Sequence, residues 1–349
     1  MVHGATVGVS PSLDELEADG FRAVILALGA PRGVKLPIPG NGYQGVHDAL
    51  SFMAAVKQGR PVAVGESAVV IGGGSVATDA ARTLLRKGAR EVRLVCIERE
   101  CDMPALSWEI EEARREGVEV VAGYAPVRIA SSWMQAEEVE LARVSAIRCD
   151  QCGRLTPELE AGVGMSLKAD TVVFAVGQAV ETELLSRMGL ETTGAGRLAA
   201  EPSSGATSRP GVFAAGDLLG GGGSVVEAMA SGRRAARAVD AFLQGKAPGT
   251  EGREVGGAPL EEKIFPVRLE KLEPLRLPHL PTETALRSFA EVELPPEAGS
   301  LETDARRCMR CGYIEVDHEL CIGCGTCRDK CPAGDVITMG SPIPGGDAS

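Results

Sequence analysis

The sequence predicts an α/β chain of strand–turn–helix units, closed by a small α+β module held by cysteines. Three observations carry that prediction. Short β-branched runs stop abruptly on glycines, as in Val69-Val70-Ile71-Gly72, Thr171-Val172-Val173-Phe174-Ala175-Val176-Gly177 and Val212-Phe213-Ala214-Ala215-Gly216. Forty-four glycines against 3% aromatic residues suit tight turns and close backbone packing. Six of the ten cysteines crowd between Cys308 and Cys331, which sets the last part of the chain apart. A length of 349 residues suggests two or three domains and a sizeable core.

Residues 1–62 begin with a short helix near Leu13 to Leu16. The run Phe21 to Ala30 reads as a buried strand ending on a glycine turn at Gly29, and Val46 to Val56 reads as an amphipathic helix. No glycine fingerprint precedes Ala23, so this segment reads as the end of a nucleotide-binding domain.

Residues 63–180 hold the stretch around which the rest is organised. Val69 to Ile71 stops at Gly72-Gly73-Gly74, and a helix follows from Ser75 to about Lys87. Strand, glycine turn and helix open a dinucleotide-binding unit. Gly72 permits the tight turn, Gly74 lets the backbone approach a pyrophosphate, and Ala77 keeps helix and strand close. With Gly73, the helix-opening residues Ser75 and Val76 complete the phosphate cradle, because free N–H groups and the positive helix end face the ligand. Glu91 to Glu98 is the second strand, and Glu98 lies 24 positions after Gly74, where a ribose-binding carboxylate is expected. Such a carboxylate repels a 2′-phosphate, so NAD is expected over NADP. Trp108 to Glu116 reads as a charged helix, Val118 to Val121 as a strand, and the stretch to Leu167 as hairpin-like. Ala169 to Gly177 is a buried strand ending on glycine.

In residues 181–245, another buried strand ends on Gly216-Asp217. Gly220 to Gly223 leads into a helix from about Ser224 to Leu243. Asp217 can accept from a ribityl hydroxyl, and a helix beginning at Ser224 and Val225 can stabilise negative charge on a flavin ring. Residues 246–303 are rich in Pro, Gly and Glu and read as an extended linker.

Residues 304–349 carry Cys321, Cys324, Cys327 and Cys331-Pro332 in the spacing C-x2-C-x2-C-x3-C-P, the bacterial ferredoxin run. Three thiolates on a tight loop hold three corners of a 4Fe–4S cube. Either Cys308 or Cys311 completes one cube, or a second cluster is built short or borrows ligands; zinc is the alternative ion. Cys149-x2-Cys152 resembles half a zinc knuckle but reads better as a hairpin turn. Cys96 and Cys101 are not spaced as a redox pair. His3, His47, His279 and His318 form no catalytic or metal spacing.

These pieces resemble the glutamate synthase small-subunit type of pyridine-nucleotide:flavin oxidoreductase. The likeness rests on Ala27-Leu28-Gly29-Ala30, IGGGSVATDAAR from Ile71 to Arg82, Met103-Pro104-Ala105, Ala175-Val176-Gly177-Gln178 and GVFAAGD from Gly211 to Asp217. It implies a Rossmann-like NAD(P) domain inserted into an FAD domain. Asp217, with Gly216 and the helix after it, would be flavin contacts, and Gly29 and Gly177 would close cofactor-facing turns. The tail is similar to ferredoxin modules that some electron-transfer members carry. Two departures stand out. NADPH-using members tend to carry paired arginines where this chain has Ile97 and Glu98. The family's N-terminal iron–sulfur region and first GxGxxG are absent, so only the later part of the FAD domain is expected, in a gene fragment or a chain completed by another subunit.

The expected function is therefore an oxidoreductase, or oxidoreductase subunit, passing electrons between NAD(P)H, FAD and a 4Fe–4S cluster. The alternative is a non-catalytic wiring subunit. No side chain need act as acid, base or nucleophile. A redox partner protein or subunit is expected. A net charge of −12 speaks against nucleic acid or an anionic membrane. With no apolar stretch near the ~18 residues of a membrane helix and no signal peptide read at Met1, a cytoplasmic location is expected.

Overall fold

A computed structural model describes residues 3–149, 155–162, 164–194, 196–220, 222–246 and 273–306. The chain divides into two compact units, Met1–Glu254 with Pro278–Leu294, and Val255–Leu277 with Pro295–Ser349.

The first unit opens with α1 (Leu13–Ala18), β1 (Val24–Leu26), β2 (Arg32–Gly33), β3 (Val46–Asp48) and α2 (Ala49–Lys57). The units β4 (Ser67–Ile71), α3 (Ser75–Arg86), β5 (Glu91–Cys96), α4 (Ser107–Glu116) and β6 (Val118–Ala122) follow. Then come β7 (Tyr124–Ser132), β8 (Gln135–Cys149), β9 (Leu155–Leu159), β10 (Met165–Lys168) and β11 (Thr171–Phe174). The unit continues through β12 (Gln178–Ala179), α5 (Thr182–Arg187), β13 (Val212–Ala214), α6 (Asp217–Gly220), α7 (Val225–Leu243) and, later in the chain, α8 (Thr282–Ala285). In the second unit the described residues form α9 (Ala298–Ala305), and Leu275 N–H donates to Asp304 Oδ1 at 3.0 Å.

A five-stranded parallel sheet runs in the order β3-β11-β4-β5-β6. All five residues of β4 are buried, as a strand covered on both faces requires. Ala68 and Val70 join Leu94 and Val173 in a core with α2, α3 and α4. Val69 and Ile71 join Val95 and Phe174 in a second core, against Ile129, Val139 and Leu141 of an antiparallel layer formed by β7, β8 and β10. Three layers result, with helices on one face and an antiparallel sheet on the other. β9 pairs with β8 beyond that layer.

The remaining part of the unit is smaller. β1 and β13 form a two-stranded parallel sheet, and Leu26, Val212 and Ala214 pack with Leu13, Leu185 and Leu218. Helix α1 begins with a capping box, Ser12 Oγ accepting from Glu15 N–H and Glu15 accepting from Ser12 N–H. Arg209 fastens it through Asp14 and Glu17.

Three local expectations change. The long strand expected over Phe21 to Ala30 shrinks to Val24–Leu26, and Phe21 and Ile25 are exposed. Val46 to Asp48, expected as the first turn of a helix, is an edge strand, because Val46 and Asp48 pair with Val172 and Phe174 of β11. Asp48 then caps α2 by accepting from Ser51 N–H at 2.9 Å. Within the expected linker, Pro278–Leu294 belongs to the first unit. Leu280 N–H donates to Val292 O and Leu294 N–H to Pro278 O, with α8 at the turn. No described helix is long and apolar enough to cross a membrane.

Candidate functional site

The glycine loop lies at the carboxyl end of β4, where the sheet's chain order reverses: β5 and β6 continue on one side, and β11 and β3 lie on the other. Ligands of open parallel sheets bind at such switch points. The three glycines have different physical reasons. Gly72 has φ +142°, and a Cβ there would run into the carbonyl oxygen of Ala175, because β4 and β11 are neighbours at this level. At Gly73 a Cβ would come within 2.9 Å of Glu98 Oε2 and 3.3 Å of Pro104 Cδ. Around Gly74 there is open space, with nothing within 4 Å of a Cβ.

Gly74 is also the N-cap of α3, and no side chain caps that helix end. The first turn therefore keeps its N–H groups and positive dipole end for an outside anion. Ala77 is fully buried and holds α3 close to the sheet. Ser75 turns its hydroxyl away from the loop, donating to Glu109 Oε2 at 2.7 Å, and the same oxygen accepts from Leu106 N–H at 2.9 Å. Val76 is half-buried, packed at the edge of the helix-side core. Ala105 N–H donates to Gly73 O at 3.0 Å, so the Met103-Pro104-Ala105 loop pins the glycine loop. Glu109 went unread in the sequence; its place three residues after Leu106, at the start of a helix, was the available signal.

Glu98 follows β5, and its carboxylate lies beside Gly73. Gly123 N–H donates to the Glu98 carbonyl at 2.9 Å and fixes the backbone there. Arg99 points away into an exposed pair with Asp102 at 2.6 Å. Cys96, at the end of β5, is buried, and burial together with the nearby Glu98 charge pushes its thiol up to about 12. Cys101 is exposed. Iodoacetamide at pH 8 should therefore label Cys101 in the folded protein and spare Cys96, as peptide mass spectrometry would read out.

The second group of candidate residues gathers beyond the β1–β13 pair. Leu26 and Ala214 are opposite one another, so Gly29 and Gly216 leave the carboxyl ends of adjacent parallel strands, with φ +67° and +71°. Gly216 N–H donates to Ser231 Oγ at 2.7 Å, which ties the turn to α7. Asp217 opens α6. Ser224 is the N-cap of α7 within a capping box with Glu227, whose Oε2 accepts from Ser224 N–H at 2.7 Å. That carboxylate occupies part of the helix end expected to face a flavin, while Val225, Val226 and Met229 are exposed beside it. Gly177 stands apart from this pair, with φ +123°, and its carbonyl accepts from Val34 N–H at 3.1 Å. The residue after it, Gln178, lies 3.7 Å from a Cβ built at Gly222.

The residues present thus fit a pyrophosphate at Gly74 and α3. The Gly29, Gly216 and Asp217 turns fit the polar part of a flavin, with apolar surface beside them for its ring. Cys308, Cys311, Cys321, Cys324, Cys327 and Cys331, like Cys152, lie outside the described residues.

The family model for pyridine nucleotide-disulphide oxidoreductases matches residues 3–232, spanning the glycine loop and both groups of candidate residues. The chain belongs to that family. This pyridine nucleotide-disulphide oxidoreductase also matches the 4Fe-4S binding domain over residues 314–335, which contain the four cysteines of the ferredoxin run. It is 33% identical to the NADP(+)-dependent formate dehydrogenase subunit beta of Moorella thermoacetica, over 87% of this chain and 44% of that protein. It is 33% identical to the glutamate synthase [NADPH] small chain of Escherichia coli (strain K12), over 68% of this chain and 54% of that one. The chain spans about half the length of the curated relatives it matches. Among solved structures, Mycobacterium tuberculosis FprA in complex with NADPH aligns with a TM-score of 0.58 at 20% identity, over 69% of this chain and 68% of that chain, and so shares the fold. The pyridine nucleotide-disulphide oxidoreductase match, with the separate 4Fe-4S binding-domain match, agrees with the resemblance read from the sequence.

Proposed function

We propose that this chain passes electrons between a nicotinamide nucleotide, a flavin and a 4Fe–4S cluster, as one subunit of a larger oxidoreductase. The observation that carries the reading is the uncapped α3 end above open space at Gly74, with the Glu98 carboxylate beside it. Bound FAD supplies the chemistry, exchanging a hydride with the nicotinamide and single electrons with the cluster. The chain's own residues position and exclude. N–H groups at Gly74, Ser75 and Val76 hold the pyrophosphate, and the tie between Ala105 and Gly73 keeps that cradle rigid. Asp217 accepts from the ribityl chain of the flavin, while the Gly29, Gly177 and Gly216 turns and the Ser224–Val225 helix start border it. Cys321, Cys324 and Cys327 would hold three corners of the cluster, with Cys308 or Cys311 as the fourth, or Cys331 serving a second cluster built short or with borrowed ligands.

For the nucleotide, the NADP and NADPH in the relatives' names favour one reading and Glu98 the other. We assign NADH, because a carboxylate beside Gly73 accepts from both ribose hydroxyls and repels a 2′-phosphate. Glu98→Arg should move the NADH/NADPH ratio of kcat/KM toward NADPH by at least about 10-fold. A wild-type protein that already prefers NADPH would overturn the assignment. A reducing compartment such as the cytoplasm suits a chain whose cysteines serve a cluster.

One further observation supports a partner subunit. Among the described residues β1 and β13 form a two-stranded parallel sheet, whereas parallel sheets are ordinarily larger and covered on both faces. Ile25 of β1 is 42% exposed and Val225 of α7 76% exposed. These exposed apolar residues support a reading in which a second polypeptide completes the flavin half, and they also favour the rival role of wiring subunit. Flavin stoichiometry on anaerobically purified protein separates the two. About one FAD per chain with NADH-dependent dye reduction supports the enzyme reading. Iron and sulfide without FAD would leave the chain as a wiring subunit dependent on its partner.

A further inference from the structure

Far along the chain from the nucleotide loop, Pro278–Leu294 folds back within the first unit as a short strap. His279 and Glu293 face each other across an antiparallel bridge, so their side chains leave the strap on the same side. Glu112, in the middle of α4 and 7% exposed, meets them there. His279 Nε2 lies 2.8 Å from Glu112 Oε1 and 3.9 Å from Glu293 Oε1. One donor atom from each of the three residues falls within 4.8 Å of the others.

We propose that Glu112, His279 and Glu293 form a binding site for a divalent transition-metal ion, Zn2+ by the chemistry of its donors, which clips the strap to α4. An imidazole with two carboxylates is a zinc donor set, and tetrahedral bonds of ~2.0–2.2 Å hold ligand atoms roughly 3.3–3.5 Å apart. The two distances from His279, 2.8 and 3.9 Å, bracket that spacing, and all three donor atoms lie within 4.8 Å, so rotation of side chains already in place would bring them to an ion. A hydrogen bond alone explains less. One ring nitrogen serves one carboxylate at a time, and Glu293 stands beyond hydrogen-bond reach of it. The half-exposed Glu293 leaves one direction open for a water molecule as fourth ligand.

The surrounding charges agree. Arg82 Nη1 holds the other oxygen of Glu112, Oε2, at 2.8 Å, which orients the carboxylate and leaves Oε1 to the ion. Arg82 is shared with Glu116, which Arg86 also binds. These guanidiniums hold Glu112 and Glu116 in place, while Glu293 approaches His279 from the strap. The site is distinct from the cysteine run, because it uses only nitrogen and oxygen donors.

The test is metal analysis of the full chain with its iron–sulfur cluster assembled, dialysed anaerobically against buffered Zn2+. Wild type should retain one more zinc per chain than His279→Ala or Glu293→Gln, with iron and sulfide equal in all three. Zinc affinity should fall at least ~10–100-fold, the loss that even an outer-shell partner causes. Co2+ in the same site should give a spectrum without thiolate charge-transfer bands, and zinc should slow proteolysis between residues 278 and 294 in wild type alone. Glu293→Gln changes an exposed group and keeps the assay interpretable if His279→Ala folds poorly. Equal zinc in wild type and Glu293→Gln, or thiolate bands in the cobalt spectrum, would overturn the proposal and leave the triad a hydrogen-bonded latch.

Discussion

Gly72→Ala is expected to destabilise the protein by about 3 kcal/mol and lower its melting temperature by roughly 10 °C, whereas Gly74→Ala leaves the fold intact. The two glycines are two residues apart in one loop, yet their surroundings differ. At Gly72 a Cβ meets the backbone carbonyl of Ala175, and φ is +142°, a region that side chains rarely enter. Relief would require moving β4 from β11, whose register runs through Ala68–Ile71 and Thr171–Phe174 in the centre of the sheet. At Gly74 the backbone is extended, with φ −93°, and the added methyl meets nothing in the chain. Under the proposed placement of the pyrophosphate at this loop, the dissociation constant for the nucleotide should rise about 10–100-fold. Thermal melts with nucleotide titrations separate the effects. Unchanged nucleotide affinity in a folded Gly74→Ala protein would move the pyrophosphate away from this loop.

Glu116→Ala is expected to cost about 3–5 kcal/mol, the loss that follows when one partner of a buried ion pair is removed. Glu116, at the end of α4, has 5% of its side chain exposed and receives Arg82 at 2.7 Å and Arg86 at 2.6 Å, both from α3. Removing it leaves Arg86 without its carboxylate between packed helices and Arg82 with Glu112 alone. Burial pushes the Glu116 carboxyl up, but hydrogen bonds from Arg86 and Arg82 outweigh it and hold the group below its usual 4.5. A carboxyl depressed in the folded state stabilises fully above its unfolded value and loses that contribution as pH falls through the folded value. The gap between wild type and Glu116→Gln in denaturant should therefore be largest near pH 7 and close in acid below 4.5. Trp108, on the same helix, gives a fluorescence probe. A pH-independent gap would show that the ion pair contributes through packing alone.

Much of the nucleotide half was legible in one pass along the sequence. Ile71 to Arg82 states a strand, a turn and a helix within a dozen residues, each fixed by neighbours in sequence. Where the structure departs from local spacing, a partner far away in the chain decides. Val46 to Asp48 has helix-compatible spacing, but β11 lies more than a hundred residues later and takes it as an edge strand. Ser224 read correctly as a helix start; its commitment to Glu227 within a capping box left less of that helix end for a flavin than its position suggested.

By itself the sequence determined the α/β class, the β4–turn–α3 unit and the ferredoxin cysteine run, because each depends on short spacings that backbone geometry enforces locally. Only the tertiary structure decided that a Pro-rich segment returns to the first unit, and that His279, with no metal spacing of its own, meets Glu112 across 167 positions of chain. The antiparallel bridge at His279 and Glu293, and the α3–α4 ion pairs that fix Glu112, create that meeting. Long-range contacts of this kind are set by packing free energy, which no local spacing records.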